Sequence, residues 1–157
     1  MTQDQYSEYG QLDRSGGRAT LRFTRRLAHP PAKVWRALTE PELLAAWLMP
    51  NDFEPRVGHR FTFRTDPVPA HGFDGIVRCE VLELLPARRL RISWAGGGLD
   101  TTVTWDLVPE GRGTRLLLSH EGFDGDDPAQ QATMRILGGG WAGHLARRLE
   151  RTLASEP

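Results

Sequence analysis

Five apolar-rich segments follow one another between residues 56 and 122, with only turn-sized gaps between them. In RVGHRFTFRT, RLRISWA and TTVTWDLV apolar and polar residues alternate, while FDGIVRCEVLELL and TRLLLSHEG are richer in apolar residues. A period of two residues is typical of β-strands with one buried face. The connections PVPAHG, PARR, AGGGLD and PEGRG have the length and the turn residues of hairpin loops. The segments therefore predict an antiparallel meander of about five strands.

One further strand and two short helices are predicted before this meander. Residues 19–27 alternate as a strand, with Arg25 as the one polar residue on the apolar side. The stretch HPPAKVWRALTEPELLAAWL then changes to helical spacing. Pro31 and Pro41 each suit a first helical position, where the missing N–H costs nothing, so two short helices are expected.

A long helix is predicted at the end of the chain. Asp127 and Pro128 have the pattern of a cap followed by proline at the first helical position, and apolar residues keep three-or-four spacing to about Ala154. The glycine triplet at residues 138–140 interrupts this pattern immediately before Trp141. Three glycines in a helix cost about 3 kcal/mol relative to alanine. We expect one helix bent at the triplet; a break into two helices there is the alternative.

These elements predict an α+β fold. A sheet of this size cannot bury its apolar face alone, and the terminal helix is the only element large enough to cover it. We expect a curved antiparallel β-sheet wrapped around a long C-terminal α-helix, with two short helices after the first strand. The length of 157 residues suits one domain, placed at residues 18–157. Residues 1–17 are polar and without period, and are expected to form a flexible leader.

The composition of the chain excludes several classes of partner and site. The twenty basic residues balance the twenty acidic ones, so no overall charge favours nucleic acid or an anionic membrane as partner. The single cysteine, Cys79, excludes an intrachain disulfide and a multi-cysteine zinc site, and is expected to be a buried thiol. No apolar run has the length of a signal peptide core or of a membrane span. A cytoplasmic location is expected.

Sequence patterns for metals, cofactors and covalent catalysis are missing. The five histidines include no pair at the H-x-x-x-H spacing of a zinc site, and the acidic run at residues 124–127 lacks a calcium loop. No nucleophile motif and no glycine-rich phosphate loop before a helix occurs. We therefore expect no metal, no cofactor and no catalytic residue, and an enzyme is the less favoured class.

Several short motifs occur in an order that resembles one family. The chain resembles the SRPBCC (START/birch-pollen-allergen-like) superfamily, in the branch of the C-terminal domain of the activator of heat shock protein 90 ATPase. The matching residues, in chain order, are Pro31 with Val34, Trp35 and Ala37 to Thr39; Pro41, Glu42, Leu44 and Trp47; Val57, Gly58 and Phe61; Arg78 to Glu83 with Pro86, Arg89, Leu90, Ser93 and Trp94; Gly113, Thr114 and Leu116; Ser119 to Phe123; and Gly140, Trp141, Leu145 and Leu149. The glycine triplet departs from the single glycine of this branch.

The resemblance implies a helix-grip fold with a cavity between the sheet and the long helix. The superfamily includes lipid and hormone binders, polyketide aromatase/cyclases and co-chaperone domains, and this branch has no agreed catalytic motif. The resemblance therefore leaves several functions open.

The principal hypothesis is that a small hydrophobic molecule binds between the sheet and the helix. The candidate ligand-binding residues are predicted to face one interior from separate elements: Trp47, Phe61, Phe63, Trp94, Trp105, His120, Met134, Leu137 and Trp141. The alternative for each aromatic residue is ordinary core packing, and for His120 a hydrogen-bonded role near a turn. Two other functions stay open: a protein-interaction module for a chaperone or another protein, and a cyclase-like enzyme that needs little more than a shaped pocket.

Overall fold

The strands form one antiparallel sheet in the computed structural model, which describes residues 11–156. The strands are β1 (Gln11–Ser15), β2 (Arg18–Leu27), β3 (Arg60–Arg64), β4 (Ile76–Leu85), β5 (Arg89–Gly96), β6 (Leu99–Glu110) and β7 (Gly113–Asp124). Their order across the sheet is β1-β2-β7-β6-β5-β4-β3, so β3 to β7 are the predicted meander and β2 pairs with β7.

Four α-helices and one short 3-10 turn complete the described part of the chain. The helices are α1 (Pro31–Thr39), α2 (Pro41–Trp47), α3 (Pro128–Ala142) and α4 (His144–Ser155), and the 3-10 turn is Pro69–His71. Both prolines begin their helices as predicted, and the Asp127 side chain accepts a hydrogen bond from the N–H of Ala129 at the start of α3. None of the helices within residues 11–156 is long and apolar enough to cross a membrane.

Part of the segment expected to be a leader forms a strand in the structure. Gln11–Ser15 form β1, which pairs with β2 in antiparallel register, so the two short helices follow the second strand of the sheet. Gly16 and Gly17 connect the strands with φ values of 59° and 77°, as a two-residue hairpin turn of type I′ requires. The polar sequence of β1 did not predict a strand, because an edge strand needs no alternation of apolar and polar residues. Residues 1–10 of the predicted leader lie outside the described residues.

The expectation of one terminal helix is wrong, because the helical run is interrupted at Gly143, while α3 continues through the glycine triplet at residues 138–140. The Gly143 N–H still bonds to the Gly139 carbonyl over 2.9 Å. A Cβ atom on Gly143 would lie 2.5 Å from that same carbonyl oxygen, so a side chain does not fit there. A Cβ atom on Gly139 would meet no atom of the described residues within 4 Å. The glycine that the backbone path requires is therefore Gly143.

The hydrophobic core lies between one face of the sheet and the helices. Met134 and Trp141 of α3, together with Leu149 and Leu153 of α4, bury their side chains in it. Arg25, the polar residue on the apolar side of β2, forms a 2.8 Å ion pair with Glu150 of α4. This pair explains how a charged residue is accommodated beside the core.

The outer edge of β3 is occupied by the chain segment that follows α2. The backbone N–H of Thr62 donates to the Asp52 carboxylate over 2.7 Å, and the N–H of Arg64 donates to the Pro50 carbonyl over 3.0 Å. Asn51 also forms an isolated bridge with Phe63. These outward backbone groups of β3 are therefore already paired within the chain.

Candidate functional site

A pocket of about 240 Å³ lies between the sheet and α3 and opens to solvent. Its lining comes from the segment after α2, the β3–β4 connection, strands β4 to β6 and α3. The lining residues are Met49, Thr65, Val68, His71, Phe73, Val77, Trp94, Gly96, Gly97, Leu99, Thr133, Ile136 and Leu137.

Two hairpin loops meet to form one wall of this pocket. Gly97 and Gly98, with φ values of 59° and 84°, make the tight turn between β5 and β6. Phe73, in the β3–β4 connection, packs over this turn, so that a Cβ atom on Gly97 would lie 3.5 Å from the Cβ of Phe73. Val68 and Phe73 exchange backbone hydrogen bonds of 2.9 and 3.2 Å, which hold this connection in shape.

Helix α3 supplies the opposite wall through one face of its second and third turns. Thr133, Ile136 and Leu137 are spaced so that they lie on the same side of a helix. Met134 lies on a neighbouring side, is buried and belongs to the core. One helix therefore contributes both to the packed interior and to the pocket.

The pocket has a mostly apolar lining. Val77, Trp94 and Leu99 are buried at its floor, and no aspartate, glutamate, lysine or arginine of the described chain lines it. Its polar side chains are Thr65, His71 and Thr133, which are exposed or half-buried. A charged group would lose its hydration at this floor without gaining a partner, so the chemistry of the lining selects uncharged apolar groups.

The structure places two of the nine candidate ligand-binding residues, Trp94 and Leu137, on the wall of this pocket. Six of the nine form one aromatic cluster in the core, with neighbouring ring centroids 5.4 to 6.1 Å apart: Phe61, Phe63, Trp94, Trp105, His120 and Trp141. Met134 is buried in the core. Trp47 is buried elsewhere in it and donates from its indole N–H to the Ala37 carbonyl over 2.8 Å. Trp94 is the residue that belongs to both the aromatic cluster and the pocket.

A chain of hydrogen bonds runs through this cluster. The indole N–H of Trp141 donates to Nδ1 of His120 over 3.2 Å, so the proton of the neutral imidazole is assigned to Nε2. That Nε2–H donates to the Thr101 hydroxyl over 2.8 Å, and the hydroxyl donates to the Trp94 carbonyl over 2.8 Å. Helix α3 is thereby connected to β7, β6 and β5 through buried polar groups that are all paired.

Burial sets the protonation state of His120. The side chain is completely buried, and desolvation lowers its pKa from 6.5 to about 3. Both ring nitrogens are engaged in hydrogen bonds, and the residue does not line the pocket. In this geometry His120 is a neutral structural group, without a free nitrogen to exchange a proton with a bound molecule.

Other reactive groups offer little chemistry. Cys79 is buried, and desolvation raises the pKa of its thiol, so the thiolate is disfavoured. In the part of the chain that the structure describes, no three histidine, cysteine or acidic side chains come close enough together to hold a metal ion. The site is therefore described by its shape and its apolar lining.

Sequence reasoning missed most of the pocket wall because it treated the loops as connections only. The loop between β3 and β4 carries Val68 and Phe73 among residues typical of turns, and these two apolar residues were the available signal. The Gly96–Gly97 backbone could not be recognised as a wall, since a glycine contributes no side chain to an apolar pattern. Ile136 was missed because it falls outside the buried stripe of α3.

Comparisons with known proteins agree on the family and the fold. Residues 28–154 match the family described as activator of Hsp90 ATPase homolog 1-like protein. The crystal structure of protein MLL2253 from Mesorhizobium loti is 35% identical, with a TM-score of 0.78 over 88% of this chain and 98% of that chain. A Rhodobacter sphaeroides protein is 27% identical, with a TM-score of 0.72 over 94% of this chain and 99% of that one.

A third similar structure is the solution structure of protein BH1534 from Bacillus halodurans. It is 26% identical, with a TM-score of 0.69 over 84% of this chain and 94% of that chain. No functionally curated protein matches the sequence. The family match covers most of the chain, and the antiparallel sheet with a terminal helical segment packed on one face is the expected helix-grip arrangement. The chain therefore belongs to the activator of Hsp90 ATPase homolog 1-like family, within the SRPBCC superfamily.

Proposed function

We propose that this protein binds a small, uncharged, hydrophobic molecule in the pocket between α3 and the sheet. The observation that carries the proposal is the lining of this pocket, which is mostly apolar, contains no aspartate, glutamate, lysine or arginine of the described residues, and opens to solvent. Apolar pockets with a few neutral polar groups are typical of small-molecule sites. The residues proposed to contact the molecule are those at the floor and on the two walls.

The shape of the pocket is that of a binding site rather than that of a packing defect in the core. Engineered voids in a core are closed, whereas this space is bounded by two hairpin loops and one helix face that leave one side open. Trp94 reaches the floor, and its carbonyl is fixed by the Thr101 hydroxyl. A buried hydrogen bond at this position holds the floor in one geometry, as a preformed site requires.

The test is titration with N-phenyl-1-naphthylamine, an uncharged apolar dye whose fluorescence rises in apolar surroundings. We expect saturable binding to the wild-type protein. Thr133→Trp places a large side chain at the pocket wall and should weaken binding by about tenfold or more, a loss of about 1.4 kcal/mol. Arg135→Trp adds the same side chain at an exposed position of the same helix that does not line the pocket, and should bind like the wild type.

Two results would contradict the proposal. One is the absence of saturable dye binding to folded wild-type protein. The other is equal dye affinity in the two tryptophan variants, since that would place the dye outside the pocket. Thermal unfolding of each variant, measured without dye, verifies that the comparison is made between folded proteins.

A further inference from the structure

The mouth of the pocket carries two exposed apolar side chains on different elements. Val68 of the β3–β4 connection is 41% exposed, and Ile136 of α3 is 61% exposed. Both also line the pocket. A single exposed apolar residue on a surface needs no explanation, but two at one opening extend the apolar lining beyond the enclosed space.

The enclosed space itself is small. An apolar cavity of about 150 Å³ holds one benzene molecule. By proportion, the pocket of about 240 Å³ holds about ten non-hydrogen atoms. A molecule of that size that fills the floor at Val77, Trp94 and Leu99 would cover the exposed side chains of Val68 and Ile136 only in part. Part of the apolar mouth would then stay in contact with water.

We infer that the ligand is an elongated, uncharged amphiphile that is longer than the enclosed space. This inference rests on the proposed function of the same site. One apolar end fills the floor, and the chain continues outward between Val68 and Ile136. Its polar, uncharged end group leaves the pocket near the rim, where Thr65, His71 and Thr133 provide hydrogen-bonding side chains. A carboxylate or ammonium end group would find no lysine, arginine, aspartate or glutamate of residues 11–156 in this lining.

Chain length is the variable that separates an elongated ligand from a compact one. The experiment measures how hexanol, octanol, decanol and dodecanol displace N-phenyl-1-naphthylamine from the protein. A fully buried methylene strengthens binding by about fourfold. A methylene that lies at the mouth is covered on one side only, so about twofold is expected for each one there. In the wild-type protein, affinity should therefore continue to rise from decanol to dodecanol.

The double variant Val68→Ser/Ile136→Ser removes the apolar mouth without touching the floor. In this variant the gain in affinity from decanol to dodecanol should disappear, whereas the gain from hexanol to octanol, which reflects filling of the floor, should remain. Val57→Ser is the matched control, because Val57 is 60% exposed and does not line the pocket. This control should retain the full dependence on chain length. Octanoate should displace the dye at least about tenfold less well than octanol.

The outcomes distinguish this inference from the proposed function. If affinity in the wild-type protein stops rising once the alcohol fills the enclosed space, the ligand is compact and the inference is wrong, while the proposed function stands. An unchanged gain in the double variant also overturns it, because the longer chains then lie elsewhere. If no alcohol displaces the dye, or if the dye itself does not bind, the proposed function fails together with the inference.

Discussion

The indole N–H of Trp141 lies 3.2 Å from Nδ1 of His120 and donates a hydrogen bond to it inside the core. The donor is on α3 and the acceptor on β7, so the contact connects the helix to the sheet that it covers. Both side chains are buried. A neutral imidazole accepts this bond, whereas a protonated imidazole would present a second N–H to the indole donor.

This relationship predicts a dependence of stability on pH. In the folded protein burial lowers the pKa of His120 to about 3, whereas the unfolded chain retains a value near 6.5. Between these values the unfolded chain binds a proton that the folded protein does not, so stability decreases as the pH falls below about 6.5. From about pH 7 to about pH 5, this residue alone should lower the free energy of unfolding by about 2 kcal/mol.

Urea denaturation of the wild type and of His120→Gln at both pH values isolates this contribution. Other titrating groups, among them His29, are present in both proteins and cancel in the comparison. The variant is expected to be less stable near neutral pH and to lose less stability on acidification. Equal losses of stability on acidification in the two proteins would show that the His120 imidazole does not cause the pH dependence.

Two buried tryptophans provide a matched test of the hydrogen bond. Trp141 and Trp105 are both almost fully buried, but the Trp105 indole N–H has no hydrogen-bond partner among residues 11–156. Replacement of either by phenylalanine removes similar volume. Trp141→Phe also leaves His120 Nδ1 without its donor, which costs about 1–3 kcal/mol, whereas Trp105→Phe removes an unpaired polar group. We expect Trp141→Phe to be the more destabilising by about that amount in urea denaturation; equal losses would contradict the role given to the bond.

Replacement by alanine should have opposite effects on protein stability at Gly139 and at Gly143. Gly139→Ala adds a side chain into open space within α3 and should stabilise the protein by about 1 kcal/mol. For a domain of this size, that corresponds to a rise in Tm of about 2–4 °C. Gly143→Ala forces a Cβ atom against the Gly139 carbonyl oxygen and should destabilise by about 1–3 kcal/mol.

Differential scanning calorimetry of the two variants measures both effects. A destabilising Gly139→Ala would show that the triplet is needed for the path of the helix, as the sequence had suggested. A neutral Gly143→Ala would show that α3 and α4 can join without the interruption that Gly143 makes.

Most of the fold follows from local patterns in the sequence. The apolar alternation around Phe61, Ile92 and Val103 predicted the meander, and Pro31 and Pro128 marked the starts of helices. The first hairpin escaped prediction because an edge strand does not need an apolar face. The irregularity in the terminal helix was predicted at the three adjacent glycines, but it lies at Gly143. At Gly143 the carbonyl oxygen of Gly139 excludes a side chain, and the sequence pattern does not show this contact.

The candidate site was harder to predict, because it depends on which loops meet. Aromatic residues such as Phe63, Trp105 and Trp141 converge as expected, but they fill the interior that they surround. The pocket lies at the end of this cluster, where Trp94 meets Phe73 and a glycine turn. Neither loop carries a periodic pattern, and their approach is visible only once the strands are in register. Ligand binding by the nine candidate residues therefore stays a prediction.

The paired edge of β3 has a consequence for self-association. An exposed edge strand is a template on which a second chain can add a strand, and such additions lead to aggregates. Here an incoming strand would have to displace the Asp52 carboxylate from Thr62 and the Pro50 carbonyl from Arg64 before it could bond. It would also approach a strand of five residues that carries an arginine at each end. The segment after α2 thus acts as a built-in barrier to edge-to-edge polymerisation on the side of the sheet where the pocket lies.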